Sequence, residues 1–263
     1  MLTERLPSLL NTYAVIHIDG IDAEKFLQSQ LSCDVVAMLP DQCQLSAYCN
    51  QKGYVESLFW LQRTHSGFRA LIDKTLIDST MALFKKYGAF SNVTCHIHSL
   101  IPEQFSLAHQ ETPLSWNEYL TLALPMPPLM AAQVTQATQW RAYFLSHGIP
   151  LLTAATAGLF RPHELHLPTL GAVSFSKGCY PGQEIVARMQ YRGKAKAHAQ
   201  ALILSECTTA PTAGANLMKD ATVIDCLLLK EQTYRLSAVM PDLLYEQLPF
   251  VCPWGQLSQV SYG

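Results

Sequence analysis

Lys177-Gly178-Cys179-Tyr180-Pro181-Gly182-Gln183-Glu184 is the stretch on which the reading of this sequence turns. Pro181-Gly182 spells a tight turn, because proline presets one backbone angle and glycine reaches dihedrals that other residues resist. Upstream, Val173 and Phe175 read as a strand running into Lys177, and downstream residues 183–191 read as a helix. Glu184 falls in the first helical turn, where the helix dipole favours a carboxylate. Glu184, Arg188 and Arg192 recur four residues apart, a ladder of opposite charges on one face. Gly193 suits the position just past the helix end.

This arrangement sets Cys179 just before a helix N-terminus and two residues from Lys177. Dipole and cation both favour a thiolate, so the expected shift of the Cys179 pKa is downward, with alkylation well below the ordinary thiol value of about 8.5. The plain alternative is a buried, inert cysteine that packs as a small hydrophobe. The lysine, the two glycines and the helix start favour the reactive reading.

Further out, residues 13–18 read as a strand ending at Asp19-Gly20, and Asp22 as the N-cap of a short helix with Phe26, Leu27 and Leu31 on one face. Residues 45–50 and 54–61 flank Gln51-Lys52-Gly53 as a hairpin, and residues 68–72 form another strand. Residues 76–87 have helical spacing, with Lys85 and Lys86 in the last turn and Gly88 as the stop. Residues 98–137 change character, being rich in Pro, Gln, Thr and Ala, with a single helix expected near 115–122. A helical pattern resumes over 139–147 and stops at Gly148-Ile149-Pro150. Three strands, over 199–204, 222–229 and 234–239, then suggest a small β-module.

Composition narrows the classes. Hydrophobic residues make up 49% of the 263 and charged residues only 14%, which points to large internal surfaces, an apolar channel or a partner-facing patch. A formal charge of −2 gives no global attraction to nucleic acid or to an anionic membrane. The most apolar stretch, residues 119–132, is cut by Pro125, Pro127 and Pro128 and cannot span a bilayer. Glu4, Arg5 and Pro7 interrupt any secretory h-region, so a cytoplasmic location is expected. The eight cysteines then read as reduced thiols, and with no C-x-x-C pair a built-in zinc or cluster site is not expected.

Residues 177–184 resemble the K-G-C-Y-x-G-Q-E signature of the YgfZ family and its mitochondrial iron–sulfur assembly relatives. Residues 13–35, with Ile18-Asp19-Gly20, Asp22-Ala23 and Phe26-Leu27-Gln28 through Asp34-Val35, resemble the family's N-terminal block. Cys49-Asn50-x-Lys52-Gly53 is similar to its next block, and residues 158–175 to the approach to the signature. The resemblance implies an α+β, T-protein-like cloverleaf. Residues 1–97 and 138–194 would form a discontinuous central folate-binding-like domain, 98–137 a reduced second module, and 195–263 a C-terminal β-barrel-like module.

The resemblance further implies a cofactor, tetrahydrofolate or another folate. It implies a monomeric accessory protein that supports assembly or repair of iron–sulfur enzymes and thereby tRNA methylthiolation. The implied partners are iron–sulfur assembly proteins and client enzymes, without direct nucleic-acid or membrane contact. Cys179 carries over as the signature thiol, with Lys177 beside it. Tyr13 and Trp140 match positions where the family sets aromatics against folate. The alternative is a folate-dependent one-carbon, aminomethyl-type transferase. Against it, the register puts Ser57 where aminomethyl-transferring T-proteins carry an Asp that orients the folate amine, although Glu56 lies next to it. Ser146 stands where the family often has a pterin-pairing Glu and supplies no carboxylate, so weak folate binding is expected.

Two histidine pairs are set aside. His163-Glu-Leu-His166 lacks zinc-protease spacing. Cys95-His-Ile-His98 alternates as a strand, which parts the cysteine from the histidines. The basic run Arg188, Arg192, Lys194, Lys196 reads as a solvated helix exit, with an acidic partner or a folate glutamate tail as the functional alternative.

Overall fold

The alternating apolar residues of the first hundred positions build one sheet. The computed structural model describes residues 12–40, 42–98, 141, 144–145 and 148–260. β1 (Tyr13–Asp19), β2 (Cys43–Cys49), β3 (Val55–Arg63), β4 (Gly67–Asp73) and β5 (Thr94–His98) pair antiparallel in the order β2-β3-β4-β1-β5. Side chains alternate across the sheet, so the register assigns them to faces. Ser57, Phe59 and Ile16 point toward α1 (Ala23–Gln30) and α2 (Ile77–Tyr87), where Phe84 meets Phe26 and Phe59 edge-on at 5.6 and 6.5 Å. Tyr13, His17, Trp60, Leu71 and Asp73 share the opposite face, on which Phe144 packs against Trp60 at 6.2 Å.

Local expectations mostly hold within a residue or two, with three corrections. Asp22 precedes α1 but does not cap it. Its φ of −97° and ψ of 3° lie outside the extended region a side-chain cap requires, and its carboxylate instead accepts the Asn92 N–H at 2.7 Å. Gly193 closes α3 (Gln183–Arg192) in extended conformation, φ −136° and ψ 169°, rather than in the left-handed one. Residues 173–175 form no regular strand. Ser174 N–H bonds Ser32 O at 2.8 Å and Ser32 Oγ bonds Ala172 O at 2.6 Å, so the segment is held by a loop instead of a ladder.

β6 (Ala197–Ser205), β7 (Asn216–Met218), β8 (Ala221–Lys230), β9 (Thr233–Pro241), β10 (Phe250–Cys252) and β11 (Gly255–Gln259) form a second antiparallel sheet. Its order is β10-β11-β6-β9-β8-β7, a nearly closed barrel, with the short α4 (Asp242–Tyr245) after β9. Leu202, Leu217, Val223, Leu236 and Leu257 fill its interior. Ala199, Ile224 and Val239 point outward and join the core of the first module. The expected α+β architecture is therefore present. Most of the expected second module and the helix near 115–122 lie outside the described residues. No helix among those described is long and apolar enough to cross a membrane.

Candidate functional site

The signature segment is held by two contacts that its own residues make possible. Gly182 is the N-cap of α3 with φ +77°, a conformation that favours glycine. A Cβ there would meet Asn50 O at 2.3 Å and Gly53 Cα at 2.8 Å, and a Cβ on Gly53 would meet Ile185 Cβ at 3.1 Å. The start of α3 thus lies directly on the β2–β3 turn, at a distance only paired glycines permit. Asn50 shapes that turn. Its Oδ1 accepts the N–H groups of Lys52 at 2.9 Å and Tyr54 at 3.1 Å, while its Nδ2 donates to Glu56 Oε1 at 2.6 Å.

Lys177 makes the second contact. Its ammonium donates to Gln28 O at 2.6 Å, Leu31 O at 2.7 Å and Cys33 O at 2.8 Å, one acceptor for each of its three protons. These carbonyls belong to the end of α1 and the loop beyond it, where helical carbonyls lack partners and the dipole is negative. Burial pushes the Lys177 pKa down to about 8, with Cys33 and Asp34 acting in the opposite sense. The cation that the sequence reading set beside the Cys179 thiol is thus committed to the backbone of α1.

Cys179 itself is exposed, on the loop between these two anchors. Tyr180 is buried, and its hydroxyl has no hydrogen-bond partner among the described residues. Every other cysteine is buried or half-buried. Burial pushes the Cys49 and Cys226 thiols up to about 12 and the Cys95 thiol up to about 11. Thiolate chemistry is disfavoured at those positions, and Cys179 is the one cysteine that is exposed.

The second group of residues lies on β1 and β4. Tyr13 and Asp73 are cross-strand partners, and Asp225 of β8 approaches the same phenol from the barrel. Burial raises the Tyr13 pKa, and the Asp73 and Asp225 carboxylates raise it further. Arg141 grips Asp225 with two guanidinium nitrogens, Nε at 2.6 Å from Oδ2, and also donates to Cys226 O at 3.1 Å. Asp73 Oδ1 accepts Thr75 N–H at 2.9 Å. Trp140 and Ser146 lie outside the described residues. Ser57 faces away from Tyr13, fully buried, with its Oγ 2.6 Å from Thr80 Oγ1. The carboxylate on the Tyr13 side of β3 is Glu56, tied to Asn50.

The sequence singles out Cys179, Lys177 and Tyr13 as candidates but gives no sign of Asp73, Arg141 and Asp225 beside Tyr13. Nothing in a single chain marks an aspartate in β8 as the neighbour of a tyrosine in β1. Asp225 within the otherwise apolar run 223–229 of β8 was the one available signal. The histidines of residues 163–166 serve separate partners. His163 Nε2 lies 3.1 Å from Gln190 Oε1, whereas His166 Nε2 lies 3.1 Å from Ala199 O. The His166 ring stacks on His198 at 5.0 Å, and His198 Nδ1 meets Asp242 Oδ1 at 2.7 Å. The pair bridges the first module and the barrel.

No protein-family model matches the chain. Compared with curated proteins, it is 33% identical to the tRNA-modifying protein YgfZ of Escherichia coli O157:H7, across 92% of its own length and 89% of the relative's. The chain belongs to the YgfZ family. The YgfZ protein of Shigella sonnei is 32% identical over the same shares of the two chains. Among solved structures, the glycine cleavage system aminomethyltransferase T from Bartonella henselae matches with a TM-score of 0.57 at 13% identity. That match covers 95% of this chain and 83% of the other, and it establishes the T-protein fold. The YgfZ signature therefore sits at the junction of the β2–β3 turn, α1 and α3.

Proposed function

We propose that this chain is a folate-linked accessory protein that supports iron–sulfur enzymes and, through them, tRNA modification, with the Cys179 thiol as its working group. The observation that carries the reading is the single exposed cysteine, in the family signature, on a loop anchored at both ends by Lys177 and Gly182. A loop so held presents a nucleophilic or metal-binding sulfur without an ordering cost on each encounter. The relationship to proteins named for tRNA modification supports the pathway. Its partners are iron–sulfur assembly proteins and client enzymes in the cytoplasm.

The residues around Tyr13 fit a folate. A pterin presents a donor-rich edge, and the Asp73 carboxylate supplies an acceptor beside an aromatic ring, while Asp225 stays paired with Arg141 behind it. Tyr13 would hold the ring system by stacking, and Trp140 is the second aromatic of the proposal. Bound folate would supply a one-carbon carrier. The chain's own residues orient it and keep water from its buried edge.

Complementation of a YgfZ-deficient strain tests the reading, scored by iron–sulfur enzyme activity and thiomodified tRNA. Cys179→Ser is expected to fold with unchanged stability, because the side chain is exposed, and to fail in complementation. Full rescue by the serine variant would overturn the role of the thiol.

A further inference from the structure

We propose that His17, Asp19 and His96 form a surface site for a divalent first-row transition ion of the Zn2+ class. One imidazole nitrogen from each histidine and one carboxylate oxygen of Asp19 all lie within 4.8 Å of one another. The β1–β5 register creates this proximity. His17 and His96 are direct cross-strand partners, so their side chains leave the sheet on the same face, and Asp19, two residues along β1, shares it. The rings already face each other, with centroids 5.0 Å apart and planes 27° from parallel. Asp19 Oδ2 stands 3.9 Å from His96 Nδ1.

Backbone geometry supports the carboxylate's position. Gly67 is the residue opposite Asp19 on β4, and a Cβ there would lie 2.7 Å from Asp19 Oδ1. The glycine therefore leaves the space that the carboxylate uses. Zinc holds nitrogen and oxygen ligands at roughly 2.0–2.2 Å, which sets ligand atoms about 3.3 Å apart in a tetrahedron. Closing from the present spacing takes a movement on the order of 1–1.5 Å, within the reach of side-chain rotation on a fixed sheet.

The donor set selects the ion class. Two imidazoles with one carboxylate suit Zn2+, Fe2+, Co2+ or Ni2+, whereas Mg2+ and Ca2+ prefer oxygen throughout. Three protein ligands leave at least one coordination position for water or a partner's side chain, unlike a closed structural site. His96 and Asp19 side chains are 60% and 35% exposed, so an ion can reach them. Arg69, opposite His17 on β4, adds a positive charge to the same face and lowers the affinity for a cation. Cys95 belongs to the other face of β5, so the site offers no thiolate.

Titration of the full chain with Co2+ tests the proposal, since its d–d absorption reports coordination and a near-ultraviolet charge-transfer band reports any thiolate. One Co2+ per chain is expected, saturating below about 1 mM, without the thiolate band, and displaced by Zn2+. His96→Ala, His17→Ala and Asp19→Asn should each weaken binding at least about tenfold, the loss that even an outer-shell partner carries. His96 is exposed, so its variant keeps the wild-type circular dichroism and isolates the ligand loss. No saturable binding, a thiolate band at saturation, or an unchanged affinity in His96→Ala would each overturn the site.

Discussion

Replacing Lys177 with methionine keeps an unbranched apolar stem and removes only the ammonium and its three bonds. Leu31 and Cys33 are fully buried, so their carbonyls cannot turn to water when the donor leaves. Gln28 is half-buried, and solvent can replace its bond. Two buried, unpaired carbonyls cost roughly 1–3 kcal/mol each, or roughly 2–6 kcal/mol together. Part returns because the wild type must bury a cation, the same cost that draws the Lys177 pKa down to about 8. The net loss should be about 2–4 kcal/mol. At about 2–4 °C per kcal/mol for a chain of this size, Tm should fall by roughly 4–16 °C. Urea and thermal unfolding at pH 7, where the ammonium is charged, followed by circular dichroism, measure this. Lys177→Arg should lose nearly as much, since a planar fork does not match three converging carbonyls. A Tm within about 1 °C of wild type for Lys177→Met would show that the three carbonyl bonds do not hold the signature segment.

Gly182→Ala should cost at least roughly 2 kcal/mol, combining a left-handed backbone penalty with a clash against the Asn50 and Gly53 backbone. It should also speed alkylation of buried cysteines by separating α3 from the β2–β3 turn, and wild-type urea stability would contradict this. Arg141→Leu leaves Asp225, whose side chain is only 7% exposed, without its cation, and about 3–5 kcal/mol should be lost. The double variant Arg141→Leu/Asp225→Leu should recover most of that loss, and a double variant as unstable as the single would sink the ion-pair account. Burial and the neighbouring His198 lower the His166 pKa from its ordinary 6.5. The unfolded chain therefore takes up a proton first, and this contribution, present above pH 6.5, is lost as pH falls below it. Urea midpoints from pH 8 to 5 should show the fall, with a shallower slope in His166→Gln, whereas equal slopes would contradict the assignment.

Sequence alone determined what depends on neighbours along the chain. The hairpin at Gly53, the stop of α2 at Gly88 and the turn at Gly182 follow from glycine and proline chemistry, and the strands from alternation. The signature around Cys179 was legible because its eight residues are contiguous. Tertiary structure decided everything that required a partner far along the chain. Lys177 looked like a cation for Cys179 because it is two residues away, yet its head group found three carbonyls near α1. Ser57 looked like a ligand-facing position, but strand parity, fixed only by pairing with β4, turned it toward Thr80. His96 looked like a surface histidine until β1 brought His17 opposite it. Local dihedral preference acts within a few residues and can be read in order. Side-chain partners are chosen by the packing of whole elements, where burial leaves a charge or a carbonyl no option except the group that the fold brings to it.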